Sequence, residues 1–219
     1  MKKTFLLLLA FCLFSSNILS AQNKKIQNPT SSDMEKAIEI MNTAKNATQL
    51  EQAVRYFEVM AEDEGVDWLP AYYAAQVNIV NSFGLTDEEK LTAQLKKAQD
   101  LINDATAISK NNPEILVLQA LLYTAWVASD GATYGMTMSP KVEAIYAQAE
   151  QIAPDNPRVV YCKAEWGIGG AKYFGQDTKP FCKDLERALD LFANFKPESP
   201  FHPNWGKERV EMLLESCKE

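Results

Sequence analysis

The sequence predicts an all-α fold, a stack of about four helical hairpins closed by a C-terminal capping helix. Three observations carry this. Helix-start signals recur along the chain: Ser32 with Glu35, Thr48 with Glu51 and Thr86 with Glu89 have capping-box spacing, and Asn112-Pro113, Ser139-Pro140 and Asn156-Pro157 pair an N-cap residue with a first-turn proline. Apolar residues between these signals recur at steps of three and four. No segment alternates with the period of two that a strand requires.

Taken in order, the signals place helices near 33–46, 49–63, 67–83, 87–110, 113–128, 140–153, 157–173, 179–195 and 204–218. Leu91, Leu95, Ala98, Ile102 and Ala105 put one apolar face on the fourth, and Phe181, Leu185, Ala188, Phe192 and Phe195 do the same for the eighth. The segment 113–128 is apolar nearly all round, which places it in the middle of a stack. Ala149–Pro157 is a joint: Pro154 cannot continue the helix behind it, and Asn156-Pro157 opens the next. Ser129–Met138 (SDGATYGMTM) reads as a loop, with Tyr134, Met136 and Met138 unusually apolar for a surface turn.

The N-terminus reads as a secretory signal. Lys2 and Lys3 precede the apolar run Phe5–Phe14, and Leu19-Ser20-Ala21 is an acceptable cleavage site. Cleavage after Ala21 leaves a polar leader over 22–31 and a helical domain over 32–219. The apolar run is too short for a comfortable membrane span, and no later segment is long enough. The expected address is therefore periplasmic or secreted. Without Lys2 and Lys3, 20 basic residues face 29 acidic ones, so the exported chain carries −9. Such a chain with no basic block is poorly suited to nucleic acid or to an anionic membrane surface.

The packing logic of the hairpins is readable in small and large residues. Leu116, Ala120 and Tyr123 place a small residue between two large ones on a first helix. Ala98-x3-Ile102-x2-Ala105 and Val142-x3-Tyr146-x2-Ala149 do the same on second helices, with Ala53-x3-Phe57 and Phe181-x3-Leu185-x2-Ala188 as weaker versions. Small residues let two helices approach and large ones fill the groove beside them. These patterns resemble the tetratricopeptide (TPR) repeat in degenerate form. Three stretches go further: Trp68–Ala75, the Ser139–Tyr161 junction, and Phe195–Pro200 running into Pro203–Gly206. On these the chain is similar to a group of exported TPR-like proteins of Bacteroidetes bacteria, over most of residues 35–215. The resemblance implies a right-handed helical superhelix and an envelope location, and it supplies no reaction.

The residues argue against chemistry. The single histidine, His202, lies in a turn between Phe201 and Pro203, and no His/Cys set has metal-ligand spacing. No nucleophile elbow, P-loop or dinucleotide fingerprint appears. No cofactor or metal is expected, and the chain reads as a scaffold rather than an enzyme. Its candidate binding residues are aromatic: Trp68, Tyr72 and Tyr73 on one first helix, Tyr123 and Trp126 on the next, Trp166 on the one after, and Tyr134 in the 129–138 segment. In a TPR stack, as the resemblance implies, first helices line the concave face, where rings anchor a peptide. The leading expectation is a protein or peptide partner in the envelope, and the alternative is a small-molecule or glycan carrier using the inside of the superhelix.

Three cysteines follow the signal. In antiparallel consecutive helices, Cys182 near the start of one is level with Cys217 near the end of the next. Cys162 and Cys182 lie at opposite ends of a hairpin, too far apart for the roughly 7 Å limit between disulfide Cα atoms. The expected bond is Cys182–Cys217, and the alternative is three buried thiols.

Overall fold

The computed structural model describes residues 31–62 and 67–217. The predicted signal, its cleavage site and the leader up to residue 30 lie outside the described residues. Nine α-helices and no strand occur among the residues described: α1 Ser31–Thr43, α2 Ala47–Ala61, α3 Leu69–Ser82, α4 Glu88–Ile108, α5 Pro113–Ser129, α6 Gly131–Ile152, α7 Pro157–Tyr173, α8 Cys182–Asn194 and α9 Lys207–Ser216. A 3-10 turn, Lys179–Phe181, leads into α8. The fold class read from the sequence is the one observed.

Consecutive helices pair as α1/α2, α3/α4, α5/α6 and α7/α8, with α9 laid on α8. The first helices α3, α5 and α7 also touch one another in succession, so the hairpins stack. The all-round apolar α5 touches α3, α4, α6 and α7, as its composition requires. The alanines singled out by the small–large pattern lie at the contacts: Ala53, Ala98, Ala120, Ala149 and Ala188 are fully shut from solvent.

The local signals are instructive where they shift. Asn112 and Asn156 cap α5 and α7 through their side-chain oxygens, with a proline following each. The caps of α2 and α4 are Asn46 and Asp87, not Thr48 and Thr86. In each case an Asx side chain stands close by, Asn46 two residues before Thr48 and Asp87 one residue after Thr86, and Asn and Asp outrank Thr as caps.

The largest departure is residues 129–138. They form no loop: Asp130 ends α5 and immediately caps α6, accepting from the backbone N–H of Ala132 and Thr133 at 3.0 Å each. The helix then runs through Pro140 to Ile152. The N–H that proline lacks would have bonded the carbonyl of Met136, a residue on an exposed turn. Packing of this first part of α6 along α5 overrides the breaker.

Between α8 and α9 the chain crosses the first helices without regular structure, over residues 195–206. Gly206 ends this crossing at φ +111°, and an added Cβ would lie 3.0 Å from the rings of both Phe192 and Tyr161. Left-handed backbone and crowding act together there. Gly206→Ala is expected to destabilise the fold by about 1–3 kcal/mol, read as a lowered urea midpoint with unchanged slope.

Candidate functional site

The first helices carry a buried polar knot at their N-terminal ends. Glu114, in the first turn of α5, and Arg158, in the first turn of α7, are 1% and 0% exposed. Arg158 donates through Nε to Glu114 Oε2 (2.6 Å) and through Nη2 to Oε1 (2.7 Å), a bidentate pair. The cap residue Asn156 adds a third bond, from Nδ2 to Glu114 Oε1 at 2.6 Å. Burial alone pushes the Glu114 carboxyl up, but hydrogen bonds from His202, Arg158 and Asn156 outweigh it and hold the group below its ordinary range. Burial likewise opposes the charge on Arg158, and Glu114 more than restores it.

The 195–206 segment covers this knot. The ring of Phe195 lies 4.5 Å from the Arg158 guanidinium carbon, a cation–π contact. His202 stands with Nε2 3.6 Å from Glu114 Oε1, between the rings of Trp68 and Phe195. Tyr73 Oη donates to the Phe201 carbonyl (2.9 Å), and Trp205 Nε1 donates to Tyr72 Oη (2.8 Å). Tyr72 and Tyr73 are 0% and 4% exposed. Their rings hold the chain's own C-terminal segment and are closed to a partner, while Trp68 beside them stays partly exposed. That corrects the expectation of an open aromatic groove at Tyr72 and Tyr73. Burial raises the hydroxyl pKa values of both tyrosines well above the ordinary value, so they stay protonated, Tyr73 as a donor to Phe201 and Tyr72 as the acceptor from Trp205.

The remaining aromatic candidates separate. Trp166 is tied by Nε1–H to the carboxylate of Glu143 on α6, away from the others. Tyr123 sits on the α5/α6 seam with the Lys141 ammonium 5.3 Å from its ring centre. One turn further along α5, Trp126 meets Tyr134 of α6 with ring centres 4.9 Å apart.

This last pair belongs to a larger array that the sequence reading did not assemble. The C-terminal ends of α5 and α7 and the N-terminal end of α6 come together at one end of the stack. Tyr173, the last residue of α7, rests its ring against Gly131, where an added Cβ would stand 3.8 Å from it. Gly131 is one turn before Tyr134 on α6. Tyr173 and Phe174 meet edge to face with centres 5.0 Å apart, and each leaves 73% of its surface in water. Trp126–Tyr134 and Tyr173–Phe174 are thus two ring pairs, with two phenol hydroxyls between them, brought to the same end of the stack by the contact of Tyr173 with Gly131. Asp130 stands at the edge of the array, its carboxyl held low by the Thr133 hydroxyl and the Thr133 and Ala132 amides. The signal available in the sequence was the Tyr173-Phe174 pair at a predicted helix end, followed by Gly175.

Among the described residues no group of three or more His, Cys, Asp or Glu is placed to hold a metal ion, and no helix is long and apolar enough to cross a membrane. Cys162 is a buried free thiol, pushed up by burial and so kept in its unreactive form.

No family model matches the sequence, and no curated protein does. Among solved structures, the HusA haemophore from Porphyromonas gingivalis is similar, with a TM-score of 0.76 at 21% identity, over 87% of this chain and 94% of that one. The likeness extends over nearly the whole of both chains, and at that identity what the two share is the helical fold.

Proposed function

We propose that this chain is an exported binding protein that takes a flat, apolar ligand on the Trp126–Tyr134–Tyr173–Phe174 array. The carrying observation is the exposure of Tyr173 and Phe174, side by side at the end of a helix and joined through Gly131 to a second ring pair. Large rings left together in water mark a binding surface more often than chance exposure. Stacked and edge-on rings favour a planar partner. The fold neighbour is a haemophore, which makes haem the first ligand to try here. Tyr134 and Tyr173 suit it, because a tyrosine oxygen can ligate haem iron while the neighbouring rings cover the porphyrin plane.

The test is a haemin titration of the mature protein followed by absorbance. A saturable shift is expected, weakened about tenfold or more in Tyr173→Ala/Phe174→Ala, since each tenfold loss needs about 1.4 kcal/mol. Equal affinity in a variant with unchanged helical circular dichroism would sink the assignment to this array.

A second reading, a protein or peptide partner in the envelope, is favoured by the first helices themselves. They already grip an irregular stretch of polypeptide through Tyr72, Tyr73 and Glu114. Crosslinking in envelope extract separates the two readings: a protein partner captured equally by the wild type and by Tyr173→Ala/Phe174→Ala supports the second, and capture of no partner counts against it.

A further inference from the structure

A cleft of about 260 Å³ opens between α1, α3 and the end of the 195–206 crossing. It lies on the far side of Tyr73 from the buried knot and does not involve the aromatic array. Its apolar wall is made by Met41, Val77 and the ring of Trp205, whose Nε1–H is already committed to Tyr72. Its polar groups are four carboxamides: Asn42 on α1, Gln76 and Asn81 on α3, and Asn204 beside the tryptophan.

Two features point to a ligand. First, Gln76 Oε1 is shut from solvent with no donor to accept from, while Asn42, Asn81 and Asn204 stand exposed around it at the rim. A closed-off carbonyl oxygen without a donor is costly unless something supplies one. Second, no charged side chain is among the residues lining the cleft. An ionised ligand would leave water there with no counter-charge, at a large cost. Carboxamides both donate and accept, matching hydroxyl groups that do the same. One apolar ring wall with several neutral two-way hydrogen-bonding groups around it suits a molecule with an apolar face and hydroxylated edges. The volume falls just under the range of drug-sized pockets, about 300–1,000 Å³.

We infer that this cleft binds a single neutral sugar ring, with Trp205 against its apolar face, Gln76 Oε1 accepting from a hydroxyl at depth, and the three asparagines reading hydroxyls at the rim. The site is separate from the one proposed for haem, so either can fail without the other.

The test is saturation-transfer NMR on the mature protein with glucose, galactose and N-acetylglucosamine, and with glucuronate as the charged counterpart. Saturable binding of at least one neutral sugar is expected, with glucuronate at least tenfold weaker. Gln76→Leu, which keeps the shape and removes the carbonyl, should weaken the neutral sugar about tenfold, and the surface variant Asn81→Ala should weaken it several-fold even if Gln76→Leu folds poorly. Tyr173→Ala/Phe174→Ala should leave it unchanged. Absence of binding by all three neutral sugars overturns the inference, as does glucuronate binding equally well or unaltered affinity in both carboxamide variants.

Discussion

Glu114→Gln is expected to destabilise the fold by about 3–5 kcal/mol, because it leaves the fully buried Arg158 guanidinium without its counter-charge. Arg158 Nη1 already has no hydrogen-bond partner, so the guanidinium has nothing in reserve. The double variant Glu114→Leu/Arg158→Met removes both charges and should recover most of the loss, since replacing a whole buried pair by apolar groups is often neutral. The pH dependence follows from the same residue. Glu114 is held below its ordinary range in the folded state, so the unfolded chain takes up its proton first as pH falls. Its contribution is fully present above the unfolded carboxyl value, about 4.3, and is lost as pH drops through the folded one. Urea unfolding of the wild type should therefore weaken progressively below about pH 4, and the charge-free double variant should show a shallower fall over the same window. Equal slopes in the two proteins would remove Glu114 as the source.

The pair also shows what could be read from the chain and what was passed over. Asn112-Pro113-Glu114 and Asn156-Pro157-Arg158 occupy the same register of consecutive first helices. The Asn-Pro part was legible as two helix starts, and both caps stand as read. The third position carries opposite charges in a repeat geometry that sets the two residues side by side, and that signal was in the sequence. Helix number and pairing were legible because most helices announce themselves by a side-chain cap (α2, α4, α5, α6 and α7) or by an amphipathic period, as α8 does. The two failures have the same physical origin. The 129–138 segment contains glycines and a proline, local breakers, yet packing along α5 holds it helical. The 195–206 segment looks like a simple connector, yet it fills the surface where Tyr72 and Tyr73 were expected to meet a partner. Tertiary contacts decide both, and one-dimensional patterns do not report them. The exposed array was half legible: Trp126 and Tyr134 were named, while Tyr173 and Phe174 entered only when the fold brought α7's end against Gly131.

Replacing Cys182 and Cys217 together by serine is expected to cost about 3–4 kcal/mol. In the structure these residues form a disulfide, with Cα atoms 6.0 Å apart and a sequence separation of 35. Closing a loop of that length restricts the unfolded chain by roughly that amount. The loop is the telling part. It contains α8, the whole 195–206 crossing and all of α9, so the bond anchors both ends of the segment that covers Glu114 and Arg158. α9 offers little to replace it: Val210 and Leu213 are its buried apolar residues. The loss should therefore be local before it is global. Amide exchange in α9 and in 195–206 should accelerate in the double variant by more than it does in α3–α5. Tyr73 should report the same event, because its hydroxyl is bonded to the Phe201 carbonyl on the released segment. If exchange rises uniformly across the helices, the bond acts only on the unfolded chain. If it rises first at the C-terminal segment, the disulfide is what keeps the inner aromatic face closed, and reducing it in the wild type should let a small aromatic probe reach Tyr72.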